Sequence, residues 1–326
     1  MYQINYQDSE VSHQADPEDT LLSAALRSKI SFPYECNSGG CGACKFELIE
    51  GEIDEIWSNA PGLSARDRRK GKHLACQCKA KSDLNVKVVN STDKKATYQP
   101  RRFFARVVEK HFLSEEMIML KMEANQAVNF IPGQYFMLNI PGLGVRAYSA
   151  SNTVNDNQLS FIIKVVPDGS VSNHLATTKL TELQIDGPYG TSLLQQGEES
   201  ASVFVSGGSG IAPMLSMVNT LVASNYNKPI MIFYGSRLES ELIIATELFA
   251  SSPKLQLVNV LSNPAQNSCW GGEKGFVHEV LQKYIQDYST SEFYLCGPPP
   301  MITATQKLLM IRNGVKFDNI HFDRFF

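Results

Sequence analysis

Hydrophobic and polar positions change their period twice along the chain. Between residue 102 and about residue 198 the apolar residues fall in pieces of strand length, at 103–108, 117–122, 134–140, 159–166 and 183–185. Pro132-Gly133, Pro141-Gly142, Asp168-Gly169 and Gly187-Pro188 separate them. Short strands punctuated by such turn pairs predict a small antiparallel β-barrel. From Ala201 onward strand-like runs at 202–205, 230–234, 255–261 and 292–296 alternate with helical ones at 213–223, 239–249, 277–284 and 300–313. That alternation predicts an α/β domain with a parallel sheet, because each parallel neighbour is reached through a crossover helix. The region before the barrel is rich in cysteine and charge and closes on a polar run, residues 90–97, of linker composition. Three domains are expected, at 1–96, 97–198 and 199–326.

Composition narrows the class of protein. Of 326 residues 43% are hydrophobic and 19% charged, and the net charge is −3, so no basic field invites nucleic acid. No apolar run reaches the ~18–20 residues of a membrane span. The first residues lack the charged-then-apolar order of a secretory leader. A cytoplasmic monomer with neither membrane nor nucleic acid as partner is the expectation.

The seven cysteines carry the first chemistry. Five of them, Cys36, Cys41, Cys44, Cys76 and Cys78, lie within the first 78 residues. An odd count without a leader reads poorly as a disulfide framework. Cys36, Cys41, Cys44 and Cys76 have the C-x4-C-x2-C…C spacing of a plant-type [2Fe–2S] centre. Three thiolates closing on a cluster within nine residues need a tight loop, and Gly39, Gly40 and Gly42 permit its backbone angles. Backbone N–H groups of that loop can then point at the sulfurs. A structural zinc site is the alternative, but zinc modules usually pair their cysteines in separated knuckles. Cys78 would share a face with Cys76 if both lay in a strand; with four ligands present, it is expected to be a plain buried thiol.

Two further segments suggest nucleotides. Arg146-Ala-Tyr148-Ser149 follows a Pro-Gly turn, and Gly169–Leu175 reads as a turn into a short helix capped by Ser172. Gly187-Pro188-Tyr189-Gly190 reads as a second tight turn. An arginine, an aromatic plane and a helix N-terminus suit a flavin nucleotide and its diphosphate. His174, in the same stretch, is expected to be structural. Downstream, Ser206-Gly207-Gly208-Ser209-Gly210 joins a strand to a helix with Pro213 near its first position. Such glycines let backbone approach a pyrophosphate at the positive helix end, although a turn made only for packing looks the same. Cys296-Gly297-Pro298-Pro299-Pro300 then places a thiol and a sharp turn at the carboxyl end of a later strand, where ligands bind in open α/β sheets. A bland strand-end thiol is the other reading of Cys296.

A hydride delivers two electrons and a [2Fe–2S] centre accepts one. A chain with both sites needs a converter, and flavin exchanges electrons either way. The three motif sets, in this order, resemble the flavin- and iron–sulfur-containing reductases of bacterial multicomponent oxygenases, and within them the reductases of toluene-4-monooxygenase-type systems. The likeness spans the whole chain, including residues 20–26, 32–44 and 320–326. It implies a β-grasp ferredoxin domain, an FAD barrel and an NAD domain, and electron flow from NADH through FAD and [2Fe–2S] to a Rieske-type ferredoxin or a di-iron hydroxylase. By that resemblance Arg146 contacts the flavin diphosphate, Tyr148 packs on the isoalloxazine, Ser149 bonds near its N5 and Ser172 takes a phosphate. Val171 and Gly187 complete the flavin set. Gly207, Gly208, Gly210, Pro213 and Gly297 cradle the dinucleotide, and Cys296 lies near the nicotinamide at hydride transfer, so Ser149 and Cys296 are the residues expected at the reacting atoms. Phe326 covers the flavin face, with Phe325 an equal candidate. A ring-hydroxylating dioxygenase reductase and a redox sensor with a vestigial nucleotide site are the alternatives.

Two charge patterns bear on selectivity. Arg237 could read a 2′-phosphate, but Glu239 and Glu241 lie beside it and could pair with it, so NADH is expected over NADPH. An acidic run (Glu47, Glu50, Glu52, Asp54, Glu55) and a basic one (Arg66, Arg68, Arg69, Lys70, Lys72) could steer an electron-transfer partner.

Overall fold

The computed structural model describes residues 1–7, 9–89, 99–154, 157–195, 200–243, 247–266 and 268–326. The expected linker and both expected boundaries, 96/97 and 198/199, lie outside the described residues. By contact the chain forms two compact units: Met1–Arg102 with Asp186–Thr191 and Phe326, and Phe103–Ile185 with Ser192–Phe325. Among the described residues no helix is long and apolar enough to cross a membrane.

The first unit is a β-grasp. Its strands are β1 (Tyr2–Tyr6), β2 (Ser12–Ala15), β3 (Lys45–Glu50), β4 (Ile53–Glu55), β5 (Lys72–Leu74), β6 (Cys78–Ala80) and β7 (Leu84–Val88), with helices α1 (Leu21–Arg27) and α2 (Ala65–Arg69). The main sheet runs β2-β1-β7-β3-β5, and β4 pairs with β6 separately. Only β1–β7 is parallel there; β1–β2, β3–β7 and β3–β5 are antiparallel. Helix α1 starts where Thr20 Oγ1 accepts the Ser23 N–H at 3.2 Å, and it buries Leu21 through Leu26. Its last residue, Arg27, bonds Asp19 through Nε at 3.1 Å and Asp186 through Nη2 at 2.6 Å. Burial pushes the Asp186 carboxyl up, and Arg27 opposes that.

His13 of β2 gives this unit a pH dependence. The ring is buried, stacks on Tyr6 at 5.7 Å, and neither nitrogen finds a hydrogen-bond partner among the described residues. Desolvation lowers its pKa from 6.5 to about 4. The unfolded chain therefore takes up a proton below pH 6.5 that the folded chain refuses until about pH 4. Stability present above pH 6.5 is lost as pH falls toward 4, by up to ~3 kcal/mol. Denaturant unfolding of wild type and His13→Phe at pH 7.5 and 4.5 checks this: the variant should lose less. Equal losses would remove His13 from the account.

The second unit joins a barrel to a parallel sheet. The barrel strands are β8 (Arg101–Ser114), β9 (Met117–Ala124), β10 (Tyr135–Ile140), β11 (Gly144–Ser149), β12 (Gln158–Lys164) and β13 (Glu182–Tyr189), with α3 (Ser170–Thr177) between the last two. Their order is β11-β10-β13-β8-β9-β12, and an antiparallel bridge from Ala150 to Phe161 closes the two ends on each other. Phe103, Phe130, Phe136 and Phe161 fill the barrel core.

Next come β14 (Ala201–Gly207), α4 (Ile211–Ala223), β15 (Ile230–Ser236), β16 (Leu255–Leu261), β17 (Glu273–Lys274), α5 (Val277–Tyr284), β18 (Ser291–Gly297), α6 (Pro299–Lys307) and β19 (Ile320–Arg324). The sheet order is β17-β16-β15-β14-β18-β19, parallel throughout. Met117 and Met119 of β9 and Ile162 of β12 share one buried core with Ile211, Met214, Met217 and Val218 of α4. Ser216 Oγ of α4 also donates to the Asn152 carbonyl at 2.7 Å. Barrel and sheet thus bury a common apolar surface, which makes them one compact unit.

Several local expectations need correction. Of the helix expected at 239–249, Glu239–Glu241 form a 3-10 turn that ends before Leu242, with Glu241 turned inward to accept the Arg237 N–H; residues 244–246 lie outside the described residues. Gly187-Pro188-Tyr189 continues β13 rather than turning, since Tyr189 is buried. Arg146, Tyr148 and Ser149 lie within a strand of their own, β11, antiparallel to β10. Pro213 is the third residue of α4, because the 3-10 turn Gly208–Gly210 leads in and the helix starts at Ile211.

Candidate functional site

The cysteine loop brings its four sulfurs together. Cys44 and Cys76 Sγ lie 3.3 Å apart, and Cys36 Sγ accepts the N–H of Ser38 at 3.4 Å and of Cys41 at 3.3 Å. Cys41 Sγ accepts from Ala43 N at 3.4 Å. The Cys41 thiol and these N–H groups pull the Cys36 thiol well below its ordinary range, whereas donating that bond pushes Cys41 up. Gly42 has φ +74°, and a Cβ there would meet the Gly62 carbonyl at 2.3 Å. Gly62 N–H bonds the Gly39 carbonyl at 2.9 Å, so a second loop backs the first. Gly62 was not singled out from the sequence; the Pro61-Gly62 turn was its signal. A converging set of four thiols ringed by N–H donors fits a [2Fe–2S] centre.

Cys76 and Cys78 do not share a strand face. Cys76 sits in the 3-10 turn Ala75–Gln77, and Cys78 opens β6. Cys78 is buried, and burial pushes its thiol up. The basic run is also not a uniform free face: Arg68 donates to the Ser58 and Ala60 carbonyls.

On the barrel, Arg146 and Tyr148 point to one side of β11 and Ser149 to the other. Arg146 is exposed, Tyr148 packs on the barrel core, and Ser149 is buried. Burial raises the Tyr148 phenol to about 12. Ser172 is not the helix cap. Gly169 holds that position, and Ser172 Oγ instead accepts the Val166 N–H at 3.1 Å from inside the first turn. Val171 is buried in the barrel core, and His174 Nδ1 lies 3.1 Å from Thr178 Oγ1.

The two glycine turns of the parallel sheet lean on one another. A Cβ on Gly210 would stand 2.1 Å from the Cys296 carbonyl, and one on Gly297 would stand 2.9 Å from the Gly207 carbonyl. Packing by itself therefore requires glycine at 210 and 297. Gly208 differs: its φ is +56° and a Cβ would meet only Met117 Cε, at 3.6 Å, leaving room beside α4 for a ligand. Ser206 Oγ, fully buried near the end of β14, finds no partner among the described residues. The Cys296 thiol is buried, and burial holds it protonated. Phe325 packs on the sheet core and donates its N–H to Gly297 O at 2.9 Å, whereas Phe326 falls with the first unit, its ring against Gly40.

A thiol-rich β-grasp loop, a closed barrel and a parallel sheet with a glycine turn define an iron–sulfur flavoprotein oxidoreductase. The comparisons agree along the chain. The 2Fe-2S iron-sulfur cluster binding domain matches residues 4–81, the oxidoreductase FAD-binding domain 104–193, and the oxidoreductase NAD-binding domain 204–307. The chain is 39% identical over 315 residues to ferredoxin–NAD(P)+ reductase CarAd of Metapseudomonas resinovorans, covering 94% of each. It is 34% identical over 314 residues to the ferredoxin–NAD+ reductase component of the alkene monooxygenase system of Xanthobacter autotrophicus, covering 94% of this chain and 96% of that one. The solved structure of the ferredoxin reductase in carbazole 1,9a-dioxygenase superposes with a TM-score of 0.92 at 35% identity, over 100% of this chain and 98% of the other. The chain belongs to the family of ferredoxin–NAD(P)+ reductase components of multicomponent oxygenases, with FAD, NAD and [2Fe–2S] as its cofactors.

Proposed function

We propose that this chain is the NADH-dependent reductase of a di-iron monooxygenase system acting on aromatic or other hydrocarbons. It works as a cytoplasmic monomer and hands single electrons to a Rieske-type ferredoxin or to the hydroxylase itself. The carrying observation is the full-length match, with all three domains in order, to relatives named as components of alkene and of xylene/toluene monooxygenase systems. FAD, when bound, would supply the exchange between a two-electron hydride donor and a one-electron iron–sulfur acceptor. Cys36, Cys41, Cys44 and Cys76 hold that centre. Arg146, Tyr148, Ser149, Val171, Ser172 and Gly187 hold the flavin, with Ser149 near its reacting edge and Phe326 as the covering aromatic. Gly207, Gly208, Gly210, Pro213 and Gly297 hold the dinucleotide, with Cys296 beside the nicotinamide. Domains at 1–96, 97–198 and 199–326 fit this division.

Reconstitution tests the reading. NADH should bleach the oxidised protein, and the protein should support turnover when mixed with a di-iron hydroxylase and its ferredoxin. Turnover only with a ring-hydroxylating dioxygenase and its ferredoxin would favour the second reading, which the 31% identity to the anthranilate 1,2-dioxygenase electron transfer component and the carbazole dioxygenase reductase structure support. No bleaching would leave the redox sensor.

Arg237 and Glu241 support NADH over NADPH. Arg237 Nη2 lies 2.6 Å from Glu241 Oε1, and Glu241 Oε2 accepts the Arg237 N–H at 3.1 Å. Burial would raise the Glu241 carboxyl, but Arg237 and Lys164 more than offset it, so it stays ionised and holds the guanidinium. Glu239 is turned to Ser268 instead. An arginine already neutralised has little left for a 2′-phosphate. kcat/KM should favour NADH by about tenfold, ~1.4 kcal/mol. Glu241→Gln, which frees Arg237, should narrow the gap, and Arg237→Ala should not. A wild-type preference for NADPH would overturn the assignment.

A further inference from the structure

Apart from the four-thiol loop, one other group of ligand-type side chains converges among the described residues of the first unit. The ligand atoms of Glu55, His73 and Cys78 all lie within 4.8 Å of one another. Glu55 and Cys78 are direct partners across the β4–β6 pair. His73 is the central residue of β5, its ring 5.6 Å from Phe46, and its Nδ1 lies 2.5 Å from Glu55 Oε1. Cys78 is buried, while His73 and Glu55 keep 25% and 31% of their side chains in solvent. The thiol therefore forms a floor and the imidazole and carboxylate a mouth through which an ion can enter.

One sulfur, one imidazole nitrogen and one carboxylate oxygen form a donor set suited to borderline-soft divalent ions. Softer ions would ask for more sulfur, and Mg2+ or Ca2+ for oxygen alone. Zinc takes three such protein ligands and keeps a fourth tetrahedral position for water. Placement adds a consequence. His73 lies just before, and Cys78 just after, the segment that carries Cys76 in the turn Ala75–Gln77. An ion held by both would tie the two ends of that segment.

The geometry points to a mononuclear site for a zinc-class divalent cation at Glu55, His73 and Cys78, separate from the four-thiol centre, that staples the turn bearing Cys76. The inference rests on the reading of Cys36, Cys41, Cys44 and Cys76 as the cluster ligands. On binding, the Cys78 thiol gives its proton to solvent, the imidazole stays neutral and the carboxylate stays ionised; no electron moves. The Glu55–His73 contact opens to admit the ion, since ligands about 2.0–2.3 Å from zinc stand more than 3 Å apart. Tying the turn restrains Cys76 and slows loss of the cluster.

The test uses the full-length holoprotein and zinc chloride, with iron content and visible absorbance followed throughout. Wild type should keep its iron, bind about one zinc per chain after desalting, and give a zinc absorption-edge spectrum with one sulfur and otherwise nitrogen or oxygen neighbours. His73→Asn and Cys78→Ser should each weaken zinc binding at least about tenfold with iron unchanged, a loss of the size expected when one ligand of three is removed. Zinc should slow cluster bleaching in guanidinium several-fold in wild type and not in His73→Asn. Failure of wild type to bind zinc would overturn the site, as would undiminished binding in both variants. So would zinc in an all-sulfur shell with iron lost, which is displacement at the cluster. If Cys78→Ser itself loses iron, the ligand reading fails, and His73→Asn alone then decides the zinc site.

Discussion

Cys41→Ser is expected to abolish the iron–sulfur absorbance or change it beyond recognition, together with the paramagnetic signal of the reduced protein, while Cys78→Ser keeps both. The two thiols lie in the same unit but face different chemistry. Cys41 donates to the Cys36 sulfur through its N–H and receives the Ala43 N–H, inside the ring of donors that a cluster requires. Cys78 opens a strand opposite Glu55 and is held protonated by burial. The function of the chain sharpens the readout. Cys41→Ser should still pass electrons from NADH to ferricyanide, because the FAD- and NAD-binding domains span residues 104–193 and 204–307, beyond the cysteines. Transfer to a one-electron protein acceptor should fall to background. Iron analysis, the visible spectrum and both acceptor assays on the same preparations check the prediction, and equal loss in the two variants would defeat the ligand assignment.

Gly210→Ala is expected to be the most damaging single-methyl change in the nucleotide-binding region. The added Cβ would lie 2.1 Å from the Cys296 carbonyl oxygen, 2.6 Å from its carbon and 3.0 Å from Gly297 N. All three are backbone atoms of the Cys296–Gly297 peptide at the end of β18, so no rotamer change relieves the clash and that peptide must move. Overpacking of this kind costs about 3 kcal/mol. The same movement should raise KM for NADH while FAD remains bound. Gly208→Ala is the control. It suffers the strain of a positive φ, roughly 1–2 kcal/mol, but meets nothing closer than 3.6 Å. Thermal unfolding and steady-state kinetics of the two variants separate them. A Gly210→Ala protein as stable as Gly208→Ala would mean that the two turns are not locked together.

Much of this protein is legible in its sequence because the decisive features are local. The cluster motif is a spacing within nine residues plus one later cysteine. The β-to-α/β change is a change of hydrophobic period, and strands at 255–261 and a helix at 277–284 follow from it to the residue. A glycine turn between a strand and a helix announces itself from adjacent residues. What the sequence left open depends on partners distant along the chain. The close approach of Gly210 to Cys296, nearly ninety residues later, adds a packing requirement to a glycine that reads from its neighbours as a phosphate cradle. Glu241 looks like part of a helix until its carboxylate is seen turned inward onto Arg237. Ser172 reads as a cap, but the chain enters the helix three residues earlier and its hydroxyl goes to Val166. Met117 and Ile162 have the ordinary look of barrel residues, and only packing against α4 makes barrel and sheet one unit. Local backbone preference and ligand spacing act over a few residues and are written in order along the chain. Burial and side-chain pairing act across strands and between loops, and only the folded chain decides them.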